Sequence, residues 1–248
     1  MNRGATIFRH AFANTNVIDI GFLSSKTSET AHIFPLYLYQ KKDNPKKHSF
    51  RSLMMLFETQ AKYQTRTPNL NKEFVNKIEL TYKRKILPEQ IFYYIYAVLY
   101  SNIYRKKYAE FLKIDFPRVP LTDRYELFQA LTKLGEGLVS LHLLKSPLLN
   151  ETKAKYPIAG NDKVEKVQYE AKTGKIYINQ KQFFEGIPEG VWQYQIGGYQ
   201  VLDKWLKDRQ DRTLLAEEIE HYLKVITTIK HTLKLQKKID RLYAELEK

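Results

Sequence analysis

The sequence predicts an α+β chain with a strand-and-loop N-terminal part (1–87), a helical middle (88–150), a β-hairpin (156–182) and a C-terminal helical region (183–248). Three patterns predict it. Leucines repeat at three and four residues through 127–141, apolar and polar residues alternate on both sides of Lys172-Thr173-Gly174, and helical periodicity returns after Thr213.

The first 40 residues alternate short apolar runs, Val17 to Phe22 and Ile33 to Tyr39, with polar turns such as Ser24-Ser25-Lys26-Thr27-Ser28, which reads as strands and loops. Residues 41–51, KKDNPKKHSFR, place five basic residues and one Asp around an Asn-Pro turn signal. A loop this basic suits phosphate contact as well as it suits a solvated surface. The polar stretch from Thr59 to Lys77 reads as a further loop, in which Arg66 has the donor fork that matches a guanine edge.

From Pro88 to Lys113 the pattern predicts one helix, apolar nearly all round at first and therefore buried there. Tyr100, Tyr104 and Arg105 are expected where it emerges toward solvent, and Phe116-Pro117 ends it. Thr122 is the expected cap of the next helix, whose stripe of Leu127, Leu131, Leu134, Leu138 and Leu141 is packing rather than chemistry. Residues 164–179 predict two strands, with Val167 and Tyr169 across from Ile176 and Ile178. Gly186, Gly190, Gly197 and Gly198 then mark tight turns around Trp192 and Tyr194, and Trp192 and Trp205 are expected to anchor the core. In the C-terminal helix Glu217 and Glu218 complement the helix dipole. Its apolar stripe changes phase after Leu233, which predicts a kink or a change of packing partner.

Charge narrows the function. With 41 Lys and Arg against 27 Asp and Glu the formal charge is +14, which points to a polyanionic partner, nucleic acid first. The chain has no cysteine, so disulfides and thiolate metal sites are excluded. The longest apolar run, Ile91 to Tyr100, is too short to span a bilayer, so a cytoplasmic protein is expected. The six histidines show no metal-site spacing, and Gly174-Lys175 lacks the upstream glycine of a phosphate loop.

Three segments taken together resemble a known family. FFEGIPEGVWQYQIGGYQVLDKWLKDRQDRTL at 183–214, IFYYIYAVLYSNIYRKKYAEFLKIDFPRVP at 91–120 and HIFPLYLY at 32–39 are similar, in that order, to the C-terminal specificity region of type ISP restriction-modification enzymes. In that family the region accompanies an N6-adenine DNA methyltransferase. The resemblance implies sequence-specific recognition of double-stranded DNA, placing one adenine for flipping into a methyltransferase pocket. No Pro-Pro pair of an amino-methylating loop occurs here. The expectation is therefore a non-catalytic chain without a cofactor, S-adenosylmethionine belonging to a methyltransferase domain elsewhere. The expected partners are duplex DNA and a methyltransferase or helicase-nuclease domain or chain, with no membrane.

Candidate DNA contacts are Lys26, Lys46, Lys47, Arg51, Arg66, Lys83, Arg84, Arg105, Lys172, Lys175, Gln193, Arg209 and Arg212. Lysines would set register on phosphates, while arginines and amides would read base edges. Two alternatives stand beside this reading. Asp162, Glu170 and Lys172 faintly match a Mg²⁺-dependent nuclease core, and the chain could instead be a protein-interaction subunit of a separate methyltransferase.

Overall fold

The computed structural model describes residues 11–16, 32–39 and 66–247. The chain divides into two compact units, one of residues 18–92 and one of residues 1–17 with 93–248. Among the described residues there are eight α-helices and three small antiparallel sheets, the α+β class read from the sequence.

In the smaller unit, β1 (Tyr37–Tyr39) pairs antiparallel with β2 (Arg66–Pro68), Tyr39 opposite Arg66. Asn69 closes the ribbon by donating its side-chain amide to the Pro35 carbonyl at 2.9 Å. The next element is a helix, α1 (Lys72–Tyr82), where the sequence predicts strands and loops. Asn71 caps it by accepting from the Phe74 N–H. Lys83 ends it in the left-handed conformation at φ 53°. The apolar positions Ile78 and Tyr82 are buried, a stripe too short to stand out from the polar residues around it. Then α2 (Pro88–Tyr100) begins with Gln90 accepting from the Leu87 N–H, and the division between the units falls within it.

The single helix predicted over 88–113 is three. Ser101 breaks it, its hydroxyl accepting from the Tyr104 N–H to start α3 (Asn102–Lys107), after which comes α4 (Phe111–Ile114). The break is stabilised from afar, because Asp240 accepts from the Ser101 hydroxyl at 2.9 Å and from the Asn102 N–H at 2.7 Å. A carboxylate at a helix N-terminus satisfies donors that have no intrahelical partner. Tyr100 and Tyr104, expected near solvent, are buried, with the Tyr104 hydroxyl donating to the Arg118 carbonyl. Thr122 likewise accepts from the Arg124 N–H in the turn before α5 (Tyr125–His142) rather than capping the helix itself.

The predicted hairpin forms with Tyr169 opposite Ile176, as β3 (Gln168–Glu170) and β4 (Lys175–Tyr177), and its turn closes through Gly174 at φ 63°. A third strand, β5 (Phe183–Glu185), joins β4 and was not predicted. Tyr169, Ile176 and Phe184 form the inward row of this sheet. They pack on Leu202 and Leu206 of α7 (Val201–Lys207) and on Tyr222, Ile226 and Ile229 of α8 (Ala216–Leu246). Between them lie α6 (Glu189–Trp192) and the hairpin of β6 (Gln195–Ile196) with β7 (Tyr199–Gln200). Gly197 and Gly198 both have positive φ, the requirement of a tight hairpin turn. Gly190 has no such requirement, since a Cβ there would meet nothing within 4 Å. Trp192 and Trp205 flank the core rather than fill it, each half-buried against the cluster.

The helix α8 is uninterrupted over 31 residues, and the change of apolar phase coincides with a change of packing partner. Its first half meets the sheet. Its second half meets the other helices, where Gln236 donates to the Tyr100 carbonyl and the Tyr243 ring lies 5.9 Å from that of Tyr104.

Candidate nucleic-acid interface

The sequence-predicted contacts fall into three physical situations. The first is open and supported. Arg66 lies on an exposed strand with its guanidinium 4.3 Å over the Tyr37 ring. The Tyr37 hydroxyl in turn donates to Glu89 Oε1 at 2.5 Å, and burial together with that carboxylate raises the hydroxyl's pKa. Stacking restricts Arg66 while leaving the edge of the fork for another acceptor. In the same unit Lys83 and Arg84 are exposed just past the end of α1. They line a shallow depression with Asn76, Glu79, Leu80 and Lys85, in which Lys85 is already paired with Glu79 at 3.2 Å.

In the other unit, Lys172 is exposed on the β3–β4 turn, and the turn is braced at two points. The Ile187 N–H donates to the Gly174 carbonyl at 3.0 Å, and the Tyr169 hydroxyl donates to the Ile187 carbonyl at 2.9 Å while its ring stacks on Trp192. One scaffold therefore carries Lys172 and the segment that ends in Gln193. The Gln193 amide is exposed and donates to Glu189 at 2.7 Å, which orients its carbonyl oxygen.

The second situation is partial engagement. Lys175 folds its ammonium 4.0 Å over the Phe183 ring. Arg212 pairs with Glu218 at 3.3 Å yet remains mostly exposed.

The third situation is a structural role. Arg209 donates to Glu218 and to the Trp205 carbonyl, both at 3.0 Å, and stacks 3.6 Å over the Trp205 ring, so it clamps α7 to the start of α8. Glu218 is also held by the Leu215 N–H, and these bonds lower its pKa. Arg105, expected at the surface, is 5% exposed. Its Nε donates to the Leu99 carbonyl and its guanidinium lies 4.5 Å over Tyr100. Enclosed by its own helix pair, it presents no face to a duplex. Lys26, Lys46, Lys47 and Arg51 lie outside the described residues.

The nuclease pattern separates into two unrelated jobs. The Asp162 carboxylate accepts from the Tyr156 hydroxyl at 3.0 Å and the Gln182 amide at 2.6 Å, in a loop that crosses to Leu214. Glu170 accepts from the Thr173 hydroxyl within the hairpin turn. Among the described residues no group of three His, Cys, Asp or Glu is placed to hold a metal ion. No described helix is long and apolar enough to cross a membrane.

Tyr199 and Gln195 are further candidates, absent from the contacts that the sequence predicts. Both are exposed on the β6–β7 hairpin, with the Lys204 ammonium 5.5 Å over the Tyr199 ring. The available signal was the Gly-Gly pair, which forces a hairpin and thereby projects its neighbours.

Comparison with known proteins identifies the family and the fold. The family model for the type ISP C-terminal specificity domain matches residues 2–238. No curated protein matches in sequence. Among solved structures the chain is similar to the ATP-dependent type ISP restriction-modification enzyme LlaBIII bound to DNA, with a TM-score of 0.58 and 22% identity over 83% of this chain and 13% of that one. It is similar to a nuclease-deletion mutant of the type ISP enzyme LlaGI in complex with a DNA substrate mimic, with a TM-score of 0.50 and 26% identity over 71% and 14% of the two chains. The DrdV–DNA complex gives a TM-score of 0.53 and 22% identity over 71% and 20%. The chain thus spans one fifth or less of the length of these neighbours.

Proposed function

The chain belongs to the type ISP C-terminal specificity domain family, and from that premise we propose that it reads a target sequence in double-stranded DNA for a restriction-modification enzyme that methylates adenine at N6. The observation that carries this reading is the extent of the family match, residues 2–238. The DNA-bound state of all three structural neighbours and the +14 charge support it.

Reading and gripping fall to different side chains. Arg66, stacked on Tyr37, has the donor fork for guanine O6 and N7. Gln193, Gln195 and Tyr199 offer amide and hydroxyl groups for base edges or sugars, and Lys83, Arg84 and Lys172 offer charge to phosphates. This reading assigns no catalytic role to the described residues. S-adenosylmethionine and the flipped adenine belong to a methyltransferase domain or chain. Phe111, Ile114 and Phe116, all more than half exposed on and after α4, favour a second role as the face that meets that catalytic portion.

Selection from a random duplex library by the purified chain, at two salt concentrations without Mg²⁺ or methyl donor, tests the proposal. Enrichment of an asymmetric motif establishes an autonomous reader. Salt-sensitive binding with no motif places specificity in the assembled enzyme, and absence of binding leaves the protein-contact role alone.

A further inference from the structure

The second half of α8 carries Lys230, Lys234, Lys237 and Arg241. At 3.6 residues per turn these four fall within about 60° of one another around the helix. Buried Gln236, Ile239 and Tyr243 occupy the far side, and Lys238 flanks the ridge. Lys234, Lys237, Lys238 and Arg241 are exposed, and Lys230 is half-buried.

Among the described residues no carboxylate pairs with the ridge. No acidic residue occurs between Tyr222 and Lys238. Asp240, next along the helix, is turned inward to Ser101 and Asn102, where four donors use its two oxygens. Glu245 is directed to Arg124 at 3.4 Å. Elsewhere in this unit three helical lysines are neutralised locally: Lys204 by Asp208, Lys207 by Asp203 and Lys224 by Glu220. Along the ridge, by contrast, the pairs 230/234, 234/238 and 237/241 set like charges at i, i+4, an arrangement that destabilises a helix. Lys153 adds a cation from the segment before the sheet. Burial first, and then Lys234, Lys230 and Lys153, lower the pKa of His231, so these charges converge around one imidazole.

A row of repelling cations along one helix face is complementary to one class of partner, a regular polyanion. Building on the DNA-reading role, we propose that this face of α8 lies along the sugar-phosphate backbone of duplex DNA beside the bases that are read, and supplies a sequence-independent grip. The row extends about 16 Å, or about five base pairs at ~3.4 Å each.

The test replaces Lys230, Lys234, Lys237 and Arg241 together with Gln in the full chain. Binding to a random-sequence duplex and to the selected site is followed by fluorescence anisotropy across a NaCl series. The expected result is a loss of at least about tenfold in affinity for both duplexes at moderate salt and a fall of about 3 to 4 in the slope of log K against log salt, with an unchanged preference ratio. Removing mutual repulsion leaves the melting temperature unchanged or raised. A control replacing Lys113, Lys204 and Lys207 with Gln removes paired charges and leaves the slope near that of the wild type. An unaltered slope in the ridge variant, or an equal loss in the control, overturns the ridge and leaves target reading intact. A ridge-dependent slope in a wild type without sequence preference upholds the ridge and sinks target reading. A wild type that binds no duplex sinks both.

Discussion

Arg66 and Arg105 carry the same guanidinium into opposite environments, and their substitution should separate accordingly. Arg105 is enclosed against Tyr100 and Leu99, so Arg105→Ala leaves buried acceptors unsatisfied and a void. We expect a loss of about 2–4 kcal/mol in urea unfolding. Arg66→Gln touches no core residue and should leave the unfolding midpoint in place while changing the selected DNA motif. An equal loss of affinity for every sequence would reject its base-reading role. His142 sets a pH dependence. Its Nδ1 meets the Tyr96 hydroxyl at 2.8 Å and its Nε2 the Thr232 hydroxyl at 2.9 Å, in a site shared with Tyr100. Burial, and secondarily Arg105, pushes its pKa down to about 4. The folded state therefore holds the neutral ring while the unfolded chain takes a proton below about pH 6.5. Stability is full above that pH and is lost progressively toward pH 4, by about 3 kcal/mol in all. His221 and His231, also lowered mainly by burial, add to the loss in the same direction. His142→Gln should flatten the stability profile between pH 6.5 and 4, and an unchanged profile would assign the acid sensitivity elsewhere.

At the scale of elements, two glycines within helices should respond in opposite directions. A Cβ on Gly135 of α5 would come within 1.9 Å of the Tyr93 carbonyl oxygen, so this glycine is what lets α2 and α5 approach. Gly135→Ala should cost about 2–3 kcal/mol despite the better helix propensity of Ala, because two backbones must separate. Gly190 of α6 faces open space, and Gly190→Ala should stabilise by about 0.5–1 kcal/mol. Thermal unfolding of the two variants checks both signs. The break at Ser101 shows why the single helix predicted over 88–113 was wrong. The apolar run continues through it, and the decisive partner, Asp240, lies 139 residues away. The unpredicted strand β5 has a related cause, since FFE carries too few residues to show alternation and is a strand only because β4 lies beside it.

For the whole larger unit, α8 is the shared spine. Tyr222 ties it to the sheet side, with its ring 4.6 Å from Phe184 and 4.8 Å from Trp205 and its hydroxyl donating to the Leu202 carbonyl. Eighteen residues on, Asp240 ties the same helix to α3. Both tryptophans lie on the sheet side. Asp240→Ala strips the cap from α3 and should cost about 2–3 kcal/mol. Because one helix serves both halves, the Trp emission midpoint in urea should shift together with the far-UV signal. A Trp transition that stays in place would show that the halves unfold separately.

The sequence by itself determined the α+β class, the register of the β3–β4 hairpin, the buried leucine stripe of α5 and the cationic balance, because each is written in local periodicity or in composition. The family resemblance was legible as well, carried by three aromatic-rich segments that all lie within the matched residues 2–238. Tertiary structure alone decided where helices break, that α8 runs uninterrupted, and which arginines face outward. Arg105 and Arg209 look in sequence like Arg66. Only packing against Tyr100 and Trp205 shows that their charge is spent inside the fold. The helical spacing of Lys230, Lys234, Lys237 and Arg241 suits a phosphate-tracking ridge and a solvated face alike, and Asp240 turned away from them weighs for the ridge. The physical reason is common to these cases. A side chain's exposure and pairing depend on residues distant in sequence, and no local pattern encodes them.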